Sequence, residues 1–262
     1  IDWNLLSSNP NAISLLEENL DKIDWNKLSS NPNAIHILQE NLDKVDWLGL
    51  SGNPNAIHIL EKYMDKINWY WLSLNPNAIH ILEKNFREIN WSWLSSNPNA
   101  IRVLEENLDK VDWYNFSGNP NAISVLEKNL DKINWSGLSM NPNAIHILEK
   151  DTNKIDWIRL SQNPNAIHLI KNNIDKIDWF RLSGNPNAIN ILEENLDKTY
   201  LYWILKNPNA IHLFIKLNKK YMKRKIKSFK KELLEYVFHP SRLRRLCDKF
   251  SVDLATLLRY YN

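Results

Sequence analysis

Histidines recurring at one spacing are the first residues in this chain that could do chemistry. His36, His58, His80, His146, His168 and His212 all follow Asn-Pro-Asn-Ala-Ile and precede an apolar pair, so they share one position of a repeating pattern. A row of imidazoles could ligate metal, but ligands must converge at about 2 Å from a single ion. Equivalent atoms of stacked helical layers lie roughly 8–10 Å apart. Ser14, Arg102, Ser124 and Asn190 also occupy the position. The row reads as a surface or groove stripe that gains positive charge near about pH 6, with a ligand-binding row as the alternative. No metal, cofactor or small-molecule substrate is expected.

The other reactive groups lead no closer to catalysis. No glycine-rich loop is available to cradle a phosphate, no Gly-x-Ser-x-Gly is present, and the acids recur at repeated positions instead of forming a unique pair. Cys247 falls on an apolar helix face, where an inert core thiol is expected. The chain reads as a non-enzyme. A single cysteine excludes an internal disulfide and points to a reducing compartment. No signal peptide is read at its start, and no apolar run reaches the roughly 20 residues of a membrane span.

What positions these residues is a repeat. Asn-Pro-Asn-Ala-Ile occurs ten times at an interval of 22 residues, from Pro10 to Pro208, without insertion. A period held this strictly places every unit against its neighbour in one geometry, which is the mark of a solenoid. Repeats begin at 1, 23, 45, 67, 89, 111, 133, 155, 177 and 199.

The copies also serve as an internal alignment. Position 3 is tryptophan in nine repeats, from Trp3 to Trp179, and Leu201 replaces it in the tenth. Position 2 is Asp or Asn in the same nine, from Asp2 to Asp178. An acid and its amide share an acceptor oxygen but not a charge, so this position is a helix N-cap. A short helix or 3₁₀ turn carrying Trp3 and Leu6 on one face is therefore predicted, ending at Ser7 ahead of the proline.

Asn9 is then expected to cap a second helix with Pro10 at its first position. Ala12, Ile13, Leu15, Leu16 and Leu20 would form its apolar stripe. Asn9, Asn11 and Asn19 read as amides capping ends and bridging turns, with recognition of an extended ligand as the alternative. So small a unit cannot bury enough surface alone, and stacking is expected to bury the Trp3-type and Ile13-type residues between repeats. The fold class is all-α: an α-solenoid of ten 22-residue two-helix repeats over 1–215, with a C-terminal helical cap over 216–262. Ten layers would make a rod or arc of roughly 80–100 Å. Leucine-rich repeats share the length, but they need a Leu-x-Leu strand, and nothing here alternates with period two. Leucine-rich-variant repeats, which pair an α-helix with a 3₁₀ helix, are a closer analogue.

The repeat unit Ile-Asp-Trp-x-x-Leu-Ser-x-Asn-Pro-Asn-Ala-Ile-His-Ile-Leu-Glu resembles the tandem repeats of uncharacterised proteins of giant DNA viruses of the mimivirus type. The segment Glu235-Tyr-Val-Phe-His-Pro-Ser-Arg242 resembles a C-terminal His-Pro-x-Arg segment of repeat proteins from those viruses. The resemblance spans essentially the whole chain. It implies a viral protein, located in the host cell cytoplasm or the virion, and no established activity. A shorter stretch, Glu232-Leu-Leu-Glu-Tyr-Val-Phe238, is similar to the start of an F-box, which would imply a ubiquitin-ligase adaptor.

The ends differ from the middle. The chain opens in phase with its repeat and without a polar cap, which predicts further repeats upstream or a shielding partner. Tyr200, Leu201, Tyr202, Trp203, Ile204, Leu205, Phe214 and Ile215 make the tenth repeat more apolar, as at a junction with a cap. The tail from residue 216 has a net charge of +10 against −7 for the rest, so a total of +3 conceals a dipolar chain. Three short helices are predicted in the tail. On the first, Lys219, Lys220, Lys223, Arg224, Lys225, Lys227, Lys230 and Lys231 would neutralise phosphates in a salt-dependent manner, dock an acidic protein surface, meet an anionic membrane, or simply face solvent. No base-reading motif accompanies them.

Because packing demands are equal in every repeat, departures from the pattern are the best functional signal. Positions 4 and 5 vary freely and become aromatic in the middle repeats, at Tyr70, Trp71, Trp93 and Tyr114. Successive repeats would set these rings side by side as a protein-docking surface along the solenoid. The alternative is that they fold onto a neighbouring ridge.

Overall fold

The computed structural model describes residues 2–210 and Leu213. The expected cap over 216–262, with Cys247, its basic residues and the two viral and F-box-like segments, lies outside the described residues, as does His212. The chain divides into two compact bodies, Ile1–Asp156 and Trp157–Asn262. In each, the described residues are a tandem array of short helices with no strand. This is the expected all-α solenoid architecture, and it excludes the leucine-rich-repeat reading.

One repeat shows how the sequence folds locally. Asn68 sits in the extended region and accepts the Trp71 N–H, which starts the helix Trp69–Leu74. Asp2, Asp24, Asp46, Asn90, Asp112, Asn134 and Asp178 cap their helices the same way. The helix closes at Asn75, whose ψ of 116° is what a residue before proline adopts.

The next step departs from expectation. Asn75 and Pro76 do not start the second helix; they form a turn, with the Ala78 N–H donating to Asn75 O at 3.2 Å and the Asn77 N–H to Asn75 Oδ1 at 3.0 Å. The helix itself runs from Ile79 to Lys84, with Ala78 at its N-cap. An asparagine that caps its own tight turn leaves proline at a corner instead of at a helix start. Asn85 then closes the helix by donating to Ile81 O at 2.8 Å, and a 3₁₀ turn, Phe86–Glu88, leads to the next cap. Each of the first nine repeats is thus two α-helices, joined in several repeats to the next by a 3₁₀ turn.

The seam between repeats also differs from expectation. Trp3-type and Ile13-type residues are only half-buried throughout. The core consists of positions 1, 6, 12, 15 and 16: in the fourth repeat Ile67, Leu72, Ala78, Ile81 and Leu82. In the first repeat Leu15 and Leu20 are exposed, so its stripe reduces to Ala12 and Leu16. Position 3 lies at the rim because its helix turns Leu72, three residues on, into the core. A large indole there shields the edge and offers its face to a cation. In seven of the nine tryptophan-bearing repeats, among the described residues, the lysine at position 22 stands 4.9–5.4 Å from the indole centroid.

Two polar columns run through the apolar core. Ser73 is fully buried; its hydroxyl donates to Trp69 O at 2.8 Å and accepts the Asn90 N–H of the next repeat at 2.9 Å. Asn97 donates through Nδ2 to both Ser73 O and Asn75 O at 3.0 Å, while its Oδ1 accepts the Asn99 N–H. Asn99 reaches back to Pro76 O at 2.9 Å. In the second body Ser161 accepts the Asp178 N–H, and Asn185 donates to Ser161 O and Asn163 O. The carbonyls of Ser73, Asn75 and Pro76, which stacking would otherwise strand, are each met by an amide from the following repeat.

Candidate protein-docking surface

The caps that start each short helix also aim its next residues. With Asn68 and Asn90 in the same geometry, helices Trp69–Leu74 and Trp91–Ser96 present positions 4 and 5 at the same azimuth. Three of the four aromatics singled out in the sequence meet there. Tyr70 and Trp93 pack edge to face with centroids 4.9 Å apart, Trp71 and Trp93 lie 5.9 Å apart, and Tyr70 and Trp71 6.0 Å. Tyr70 is 43% exposed, and both indoles are half-buried. The fourth, Tyr114, is 38% exposed on the following repeat's helix, Trp113–Gly118.

Glycine makes a hollow beside this cluster. Gly49 and Gly52 occupy positions 5 and 8 of the third repeat, and with Ser30, Leu48, Trp71 and Leu74 they line a cavity of about 160 Å³. A side chain at position 52 would touch the Trp71 ring, since a Cβ there would lie 3.5 Å from its Cε3. Trp71 therefore packs its inner edge on the preceding repeat, while Tyr70 stays 43% exposed.

A second aromatic group escaped the sequence reading. In the second body Phe180 packs on Tyr200 at 5.3 Å and on Trp203 at 5.4 Å, and Trp203 packs on Tyr202 at 5.5 Å. Phe180, Tyr202 and Trp203 fill the same positions 4 and 5, and Gly184 lies under Trp203 as Gly52 lies under Trp71. The aromatic residues of the tenth repeat are visible in the sequence, where they read equally as a junction with a cap.

The described histidines of the stripe are exposed, and four of the rings meet position 17 of the preceding repeat. His36 Nε2 lies 2.5 Å from Glu17, His80 3.0 Å from Glu61 and His146 3.0 Å from Glu127, while His58 faces Gln39 at 3.4 Å. Arg102 takes the same place against Glu83 and also bonds Glu106 at 3.1 Å. The stripe thus links adjacent layers. Among the described residues no group of three or more His, Cys, Asp or Glu is placed to hold a metal ion, and no helix is long and apolar enough to cross a membrane. The basic residues Lys219 to Lys231 lie outside the described residues.

The fold and this surface define the chain as an all-helical tandem-repeat protein. Comparison with protein-family models, curated proteins and solved structures finds no match.

Proposed function

We propose that this protein is a noncatalytic interaction or assembly scaffold, in which the stacked repeats hold a row of recognition side chains at fixed spacing. The observation that carries this reading is the Tyr70–Trp71–Trp93 cluster. A lattice whose core repeats with only conservative apolar changes has no packing need for extra rings in two neighbouring repeats, and partly exposed aromatics beside an apolar hollow are what protein hot spots are made of. The repeat sequence, through its resemblance to giant-virus proteins, supports a viral and virion-associated setting.

The test is recovery of partners from infected cells with the wild-type chain and with Trp71→Ala/Trp93→Ala, identified by mass spectrometry. The double variant is expected to lose its specific partner while its circular dichroism keeps the helical signal. Equal loss of both would make the rings packing elements. Partner recovery that disappears between low and physiological salt and returns with added DNA or RNA would favour phosphate binding through the basic tail instead.

A further inference from the structure

One tryptophan-bearing repeat has no lysine at position 22. Position 22 of the fourth repeat is Glu88, so the ammonium that stands over the indole in seven other repeats is replaced by a carboxylate. Trp47 has its position-22 lysine, Lys66, but no described residue places an ammonium on its ring; Tyr63 covers it instead at 5.5 Å. Trp69 has neither: no described residue places a cation or an aromatic ring against it, and it is half-buried at the rim. Glu88 is exposed and forms no ion pair with a described residue.

The adjacent repeat shows what such a place holds. Lys110 stands 4.9 Å from the Trp91 centroid and 4.3 Å from Phe86, so its ammonium sits between two rings that themselves pack at 5.1 Å. Phe86 is at position 20 of the preceding repeat, and the same register puts Met64 at position 20 before Trp69. An indole face and a thioether would thus flank the place where an ammonium belongs, with a carboxylate at the position that elsewhere supplies it.

We infer that Trp69 and Glu88 form a notch for an ammonium group delivered from outside, namely a lysine side chain of a protein partner. Lysine is favoured because the seven filled counterparts all hold a lysine ammonium at 4.9–5.4 Å. Glu88 reverses the local charge, so it attracts the incoming cation where a lysine would repel it. The docking reading above supplies the source of the lysine, but the notch rests on different residues.

The experiment uses the full chain labelled with ¹⁵N and the probe Nα-acetyl-L-lysine methylamide, read by the indole N–H resonance of Trp69, assigned with Trp69→Phe. A saturable shift at Trp69 is expected, absent with the norleucine analogue. Glu88→Gln should weaken it about three- to tenfold. Glu88→Lys restores the consensus residue, so that variant should fold and should abolish the shift. No lysine-dependent shift at Trp69, an undiminished shift in Glu88→Lys, or an equal shift at the lysine-covered Trp113 would each overturn the assignment. The Trp71→Ala/Trp93→Ala chain should keep the shift, so failure of the docking surface and failure of the notch are separable.

Discussion

Two asparagines that look alike in the sequence do opposite work. The Asn90 side chain acts as an acceptor, taking the Trp93 N–H at 3.1 Å; the same position is aspartate in other repeats, so Asn90→Asp should change stability by less than about 0.5 kcal/mol. Asn97 is buried and donates twice. Asn97→Asp strands two carbonyls and buries a charge, and should cost roughly 3 kcal/mol or more. Urea denaturation of the two variants checks the contrast, which vanishes if both asparagines are mere caps. Ser73→Ala removes the acceptor of a buried N–H and is expected to cost about 1–3 kcal/mol in the same assay. The invariance of position 9 was visible in the sequence. Its two-donor role was not, because both acceptors belong to the preceding repeat, 22 and 24 residues away.

At the level of helices, close approach is governed by glycine. A Cβ on Gly137 would lie 2.1 Å from Tyr114 O, so helix Trp135–Met140 rests directly on the backbone of helix Trp113–Gly118. Gly137→Ala must push the helices apart and should destabilise by roughly 1–3 kcal/mol. Gly118 has its nearest atom outside the helix at 3.5 Å, ordinary contact. Gly118→Ala is therefore expected to be neutral or to stabilise by up to about 1 kcal/mol through helix propensity. Thermal melts of the pair would reverse this order only if the two helices were not in contact. The first helix of each repeat was legible from its Asp or Asn cap, whereas the second begins at Ile13-type residues, three positions later than Pro-Asn suggests. The cause is the turn that each Asn9-type side chain closes upon itself.

For the molecule, the period of 22 makes a whole repeat the natural unit of change. Removing residues 89–110 joins Glu88 to Val111 in register, so the lattice bonds re-form between repeats four and six. Helicity per residue should be retained, with only a modest fall in melting temperature. Removing 11 residues within that span breaks the register of the serine and asparagine columns and should abolish the cooperative transition. Circular dichroism melts of the two deletions check this; equal loss in both would contradict a nearest-neighbour stack.

The sequence by itself determined the helical class, the repeat length, the N-cap of each first helix and the aromatic positions, because each follows from residue preferences acting within a few positions of one another. Only the tertiary structure decided what lies between repeats. A recurring large ring in the motif suggests a seam of tryptophan and isoleucine. Burial, however, depends on which residues the neighbouring layer covers. That geometry leaves the indoles at the rim under lysine ammonium groups and places small serine and asparagine side chains at the centre, where their hydrogen bonds meet the carbonyls of the preceding layer.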